Sequence, residues 1–214
     1  MSSTRTPCDF ARDDAANAAY YDERAPRAVH GFQAADWGSQ ASQRRRFEVL
    51  AQIGSLDRCS LLDVGCGCGD LLHWLRERGW SGAYTGLDIS EAMLARARAA
   101  APDQTFERAG VLDLASGPEG RADWVLASGI FARRSIEPER FFEAALRAML
   151  RASRRGVGLN CLSANGRRPE PGEWQCEPAR ALELAQRAAA RVVLRQDYHP
   201  GDFTLYAYRA GAGA

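Results

Sequence analysis

The chain has 214 residues, 46% hydrophobic and 26% charged, with a formal net charge of +1. That is enough length for one well-buried core, and it leaves no surplus charge to serve a nucleic-acid backbone or an anionic membrane. All 28 basic residues are arginine, which excludes Schiff-base, P-loop and general-base chemistry that needs lysine.

The six cysteines (Cys8, Cys59, Cys66, Cys68, Cys161, Cys176) form no C-x-x-C pair. Free thiols in a reducing cytoplasm are therefore expected, with no metal site. Met1–Thr6 lead into no apolar signal segment, and no apolar run is long enough to span a bilayer.

From Phe10 to Phe47 the chain is rich in Ala, Arg, Asp, Tyr and Gln without a strand-like run, so it reads as helices and loops. Beyond Cys59, short β-type runs alternate with helical stretches, the pattern of βαβ units around a parallel sheet. The first strand is Ser60 to Val64, followed by the glycine turn Gly65–Gly69 and a helix from Asp70 to Arg78 closed by Gly79. A second strand, Ala83 to Leu87, leads to Asp88 and to a helix with Ser90 as N-cap. A third strand covers Thr105 to Ala109, and a fourth runs from Asp123 to Ala127 and ends at Ser128–Gly129. Pro138 opens a helix carrying Phe141, Phe142, Leu146, Met149 and Leu150 at helical spacing. Gly156 to Leu162 is a fifth strand, Pro178 to Ala190 a helix and Arg191 to Tyr198 a sixth strand. His199-Pro-Gly-Asp202 has Pro and Gly where a type II turn wants them. Phe203 to Tyr208 then returns antiparallel, and the tail Gly211–Ala214 is expected to fray. The organisation expected is a helical cap (1–47), a core (48–209) and a flexible tail (210–214).

The most informative stretch is Asp63-Val-Gly-Cys-Gly-Cys-Gly69. A strand feeding a helix through glycines brings backbone N–H groups close to a nucleotide-like ligand. In a G-x-G-x-x-G dinucleotide turn, the third glycine falls three residues after the second; here that position is Asp70, a poor neighbour for a pyrophosphate. Asp63, at the strand's end, suits a cation such as the ammonium and sulfonium of S-adenosylmethionine. Asp88, at the end of the second strand, is placed to bind both hydroxyls of a ribose.

Leu61-Leu-Asp-Val-Gly-Cys-Gly-Cys-Gly-Asp70 resembles the first motif of class I S-adenosylmethionine-dependent methyltransferases, and Thr85-Gly-Leu-Asp-Ile-Ser90 resembles the second. The likeness runs from Cys59 to Arg209. It implies an α/β, Rossmann-like seven-stranded sheet, mostly parallel with an antiparallel last strand, helices on both faces and a short N-terminal helical cap. It further implies S-adenosyl-L-methionine as cofactor and methyl transfer to a small-molecule acceptor. Residue by residue, Asp63 with the backbone of Gly65, Cys66 and Gly67 would hold the methionine end. Asp88 would hold the ribose, and Ile89 and Met93 would pack on the adenine. The family's usual acid after the third strand is replaced here by Gly110, so backbone near Gly110 and Val111 would meet the adenine, with Asp113 a further candidate. Ser128, Gly129 and Phe131 would line the methyl-donor channel.

The acceptor is expected beyond the carboxyl ends of the strands. Tyr198, His199, Asp202 and Phe203 of the last hairpin should lie at that rim, with Asn160, Ser163 and Asn165 after the fifth strand. From the N-terminal segment come Tyr20, Tyr21, His30, Trp37, Gln40, Gln43 and Arg46. Gln43 and Arg46 share a helix face, from which Arg46 would take the cofactor's carboxylate. Base candidates are His199, His30, Tyr21 and Tyr20. Arg133 and Arg134 read first as a solvated charged loop, with contact to an acidic acceptor as the alternative. Two other readings stay open: a cofactor-binding protein without transferase activity, and a nicotinamide-dependent oxidoreductase.

Overall fold

The computed structural model describes residues 8–134 and 136–211. Seven strands form one sheet in the order β3-β2-β1-β4-β5-β7-β6. They are β1 (Leu61–Val64), β2 (Tyr84–Asp88), β3 (Thr105–Arg108), β4 (Ala122–Ser128), β5 (Ser153–Leu162), β6 (Arg191–Arg195) and β7 (Asp202–Tyr208). The pairs β3-β2, β2-β1, β1-β4 and β4-β5 are parallel; β7 runs antiparallel to both β5 and β6. Parallel strands buried on both faces need near-continuous apolar sequence, and β1 is buried at all four positions.

Helices α1 (Cys8–Arg24), α2 (Gly31–Ala34) and α3 (Gln40–Leu50) precede the sheet. The crossovers are α4 (Asp70–Arg76), α5 (Glu91–Ala100), α6 (Pro138–Ala152) and α7 (Pro178–Gln186). One face is covered by α6 and α7, with Phe141, Phe142, Leu146 and Met149 against Val125, Val157 and Leu159. On the other face Phe47 of α3 and Leu72, Trp74 and Leu75 of α4 pack with Leu61, Trp124 and Tyr206. Ser90 caps α5 as expected, its Oγ accepting from the Met93 amide at 3.2 Å.

The predicted elements shift in three places. The sixth strand stops at Arg195, and the helix before it ends at Gln186. Gly201 does not take a positive φ, so the turn at 199–202 is not type II; the Gly201 amide instead meets the His199 Nδ1 at 3.1 Å. Residues 1–7 and residues 212–214 of the expected tail lie outside the described residues.

β1 and β4 are neighbours whose crossovers leave to opposite sides of the sheet. In an open α/β sheet the crevice beyond the carboxyl ends at such a reversal is where ligands sit. The N-terminal helices lie across it: Asp22 of α1 accepts from Ser90 Oγ at 2.6 Å, and Asn17 donates to the Arg133 carbonyl at 2.7 Å. Arg96 of α5 in turn donates to the Ala28 carbonyl at 2.7 Å. No helix among the described residues is long and apolar enough to cross a membrane.

Candidate active site

A cavity of about 890 Å³ opens at that crevice. Its first half is built from the ends of β1 and β2 and the loops after them. Gly65 turns with φ +72°, and Ile130 sits where a Cβ would project, so only glycine fits there without strain. Gly65 and Cys66 amides both donate to the Leu87 carbonyl, which locks the turn to β2. Asp88 closes the lock, its Oδ2 accepting from the Gly67 amide at 2.8 Å and its Oδ1 from the Ser90 amide at 2.9 Å. Burial raises its pKa, against the pull of those backbone hydrogen bonds.

Asp63 is buried and accepts from the Tyr84 hydroxyl at 2.7 Å. Loss of water pushes its pKa up to about 7; the Tyr84 hydrogen bond lowers it, and Asp88 and Asp70 add like-charge repulsion. Asp70, at the start of α4, accepts from Gln43 Nε2 at 2.9 Å. Among the described residues none of the three carboxylates has an ion-pair partner within 4.0 Å. Buried acids without a cation are costly, and this cradle fits a ligand that brings its own positive charge beside a ribose.

The second half lies beyond β5 and the β6–β7 turn, walled by Asn165, Arg167, Glu173, Gln175 and His199. The His199 Nδ1 is 2.7 Å from Oδ2 of the buried Asp202, whose other partner is the Arg46 guanidinium. Trp37 stands between the halves, with Arg46 4.6 Å over its ring. Gly129 turns with φ +87°, and a Cβ there would lie 3.0 Å from that ring.

Of the residues singled out in the sequence, Asp63, Gly65, Cys66, Gly67, Asp88, Ile89, Met93, Val111, Ser128 and Gly129 all line the cavity, as do Tyr21, Trp37, Arg46 and His199. Six do not. Gly110 turns away, its amide tied to Asp113 Oδ2 at 2.8 Å, so Asp113 serves as a local cap. Phe131 is core, its ring 5.0 Å from Phe142 and 6.1 Å from Phe141. Asn160 is a buried brace: Oδ1 accepts from the Gly129 amide at 3.0 Å and Nδ2 donates to Ser128 Oγ at 3.1 Å. The Tyr198 hydroxyl is paired with Thr204 Oγ1 at 2.8 Å, and Phe203 is fully buried. Tyr20 does not reach the cavity wall and donates to Asp36 at 2.6 Å. His30 is exposed at the start of α2, stacked on Phe32.

Two further expectations change. Arg46 reaches the cavity, but Asp202 neutralises it and the Ser42 carbonyl accepts from it at 2.9 Å, so it is not a free cation for the cofactor's carboxylate. Tyr21 has its hydroxyl pushed up to about 12 by burial, which makes it a hydrogen-bond donor rather than a base. Sequence reasoning missed Cys68, Leu71, Ala109, Arg167, Glu173 and Gln175 as wall residues. Glycine-rich composition near Gly166 and Gly172 was the available sign of the last three.

Comparison with known proteins agrees with this geometry. A family model described as a methyltransferase domain matches residues 61–156. A Mycobacterium tuberculosis protein described as a methyltransferase is 34% identical over 167 residues, covering 74% of this chain and 98% of that protein. Trans-aconitate 2-methyltransferase of Afipia carboxidovorans is 35% identical over 106 residues, 45% of this chain; the match spans only 40% of that enzyme's length. In fold, the magnesium protoporphyrin IX methyltransferase of Synechocystis PCC 6803 with bound SAM superposes with a TM-score of 0.66 at 17% identity, over 98% of this chain and 100% of that one. The nicotinamide reading is thereby displaced, and so is that of a binding protein without transferase activity. The chain belongs to the class I S-adenosylmethionine-dependent methyltransferases.

Proposed function

We propose that the enzyme methylates a small molecule held in the β5–β7 half of the cavity, with the cofactor in the β1–β2 half. One observation carries this reading: a cavity of about 890 Å³ with two differently built halves under the N-terminal helices. Small-molecule sites span about 300–1,000 Å³, so there is room for a cofactor and one compact acceptor. The names of similar proteins point the same way, one citing trans-aconitate and one magnesium protoporphyrin IX. Residues 8–47 act as the cap of the same domain, and a reducing cytoplasm suits the five described cysteines, all free.

When bound, S-adenosylmethionine supplies an electrophilic methyl group and leaves as a neutral thioether. Asp63 holds the ligand's ammonium, and Asp88 takes the ribose hydroxyls on lone pairs left free by its two backbone contacts. Ile89, Met93 and Val111 give the adenine an apolar slot. Ser128 and Gly129, braced by Asn160, fix the passage between the halves, since rate depends on alignment of donor and acceptor. His199, beside Asp202 at the cavity wall, takes the acceptor's proton.

Calorimetry should show S-adenosylhomocysteine binding and no NAD binding. Labelled S-adenosylmethionine incubated with a cell extract should then place its methyl group in the low-mass fraction. Label confined to protein or RNA would overturn the acceptor class. His199→Ala should lower kcat by about 10²–10⁴-fold and leave S-adenosylhomocysteine affinity in place.

A further inference from the structure

Four arginines line the cavity: Arg46, Arg133, Arg134 and Arg167. Three are already matched. Arg46 pairs with Asp202, Arg134 with Asp14 at 2.5 Å, and Arg167 with Glu173 at 2.6 Å. Arg133 has no carboxylate within 4.0 Å among the described residues. Its guanidinium lies 3.9 Å over the Tyr20 ring, and its N–H groups make no hydrogen bond among the described residues. Glu173 is near enough to feel its charge, but that carboxylate is taken by Arg167 and by the Glu170 amide at 2.8 Å.

The backbone around Arg133 faces the second half of the cavity. The Ala132 carbonyl accepts from the Trp174 amide at 2.8 Å, which ties this loop to the segment carrying Glu173 and Gln175. Gly172 leaves the guanidinium clear, since even a Cβ there would stand 3.6 Å from Nη2. The first half of the cavity holds the opposite charge, in Asp63, Asp70 and Asp88.

We propose that Arg133 is the anchor for an oxyanion on the methyl acceptor, so the substrate is a small acid carrying a carboxylate or a phosphate. This rests on the acceptor lying in the β5–β7 half. A guanidinium stacked on an aromatic ring presents two parallel N–H donors, which match either group bidentately. Held there, the acid meets a cation rather than the carboxyl groups of Asp63, Asp70 and Asp88, with its anionic end toward the cap.

The test uses the full chain loaded with S-adenosylhomocysteine. Benzoate, phenyl phosphate and the neutral isostere benzamide are titrated by calorimetry into wild type, Arg133→Gln and Arg133→Lys. Benzoate or phenyl phosphate should bind and benzamide should not; whichever acid binds tighter names the anionic group. Arg133→Gln should weaken the acid by about tenfold or more, and Arg133→Lys should restore part of it. S-adenosylhomocysteine affinity should stay the same in all three proteins. Benzamide binding as well as the acids, no acid binding at all, or acid affinity indifferent to Arg133→Gln would overturn the proposal. A variant that loses S-adenosylhomocysteine instead would make Arg133 a clamp for the cofactor's carboxylate, which also overturns it. Failure of wild type to bind S-adenosylhomocysteine would strike the division of the cavity itself.

Discussion

The half of the cavity assigned to the cofactor draws Asp63, Gly65, Cys66, Gly67, Asp70 and Asp88 from positions 63 to 88, on two neighbouring strands and the turns after them. The half assigned to the acceptor draws Tyr21, Arg133, Gln175 and His199 from segments far apart in the chain. Backbone dominates the first: glycine turns and amides closed onto Leu87 and Asp88. Side-chain charge pairs dominate the second, namely Arg46–Asp202, Arg134–Asp14 and Arg167–Glu173. A cofactor common to a family needs one fixed cradle, whereas an acceptor pocket can be rebuilt by changing pairs without moving the sheet. Each contrast can be broken by a single change.

The largest effect should come from the pair that joins α3 to the β6–β7 turn. Asp202→Asn leaves the Arg46 guanidinium buried without a counter-ion, and removing one partner of such a pair costs about 3–5 kcal/mol. For a chain of this size Tm should fall by about 10 °C, read by thermal unfolding. Arg46→Met combined with Asp202→Leu should recover most of that loss, because the stranded charge is gone. A loss near zero in the single variant would mean that α3 is held to the core by apolar packing such as that of Phe47 and not by this pair.

Asp88→Ala tests the cradle from the other side. It strips the Gly67 and Ser90 amides of their acceptor and removes the proposed ribose partner, so affinity for S-adenosylhomocysteine should fall by about 100-fold or more. Calorimetry measures this, and circular dichroism should show the sheet intact. Asp88→Asn, which still offers one acceptor oxygen, should fall in between. Equal affinity in wild type and Asp88→Ala would remove the ribose assignment.

Gly129→Ala should have a smaller cost. The left-handed backbone at φ +87° costs an alanine about 1–2 kcal/mol, and its Cβ would lie 3.0 Å from the Trp37 ring. We expect Tm lower by several degrees. Trp37→Ala added to it should relieve only the steric part, so the double variant separates backbone strain from crowding.

The two halves also differ in how much of them was legible in the sequence. The order of the strands' elements, the glycine turn, Asp63, Asp88 and the Ser90 cap could be read because each depends on residues a few positions apart. Phe131, Asn160 and Tyr198 could not. All three lie near the right strand ends, but which way each points is decided by distant partners: Phe142, Gly129 and Thr204. His30 and Tyr20 misled for the same reason, since the path of α1 and α2 over the core follows from contacts such as Asp22–Ser90 and Arg96–Ala28. Arg46 was correctly placed at the cavity but its partner, Asp202, is beyond the reach of any local pattern.

The finest distinction is electrical and concerns Asp63. With the ligand absent, burial holds its carboxyl at about 7, above the value of about 3.9 expected in the unfolded chain. The folded protein therefore keeps a proton that the unfolded chain releases, and this group's contribution to stability is lost as pH rises between about 4 and 7. Ligand binding runs the opposite way. An ammonium beside Asp63 favours the carboxylate, so affinity for S-adenosylhomocysteine should rise as pH climbs to about 7 and level off above it. Below that point the fall approaches tenfold per pH unit. Binding at pH 6.5, in buffers of different ionisation enthalpy, should release a fraction of a proton (chosen at about half a unit below the inflection). Tyr84→Phe removes the hydrogen bond that holds the carboxyl down, so its inflection should move to higher pH. Asp63→Asn should flatten the profile. An unchanged slope in Asp63→Asn would place the titrating group elsewhere, with Asp88 next to be examined, since burial raises it too.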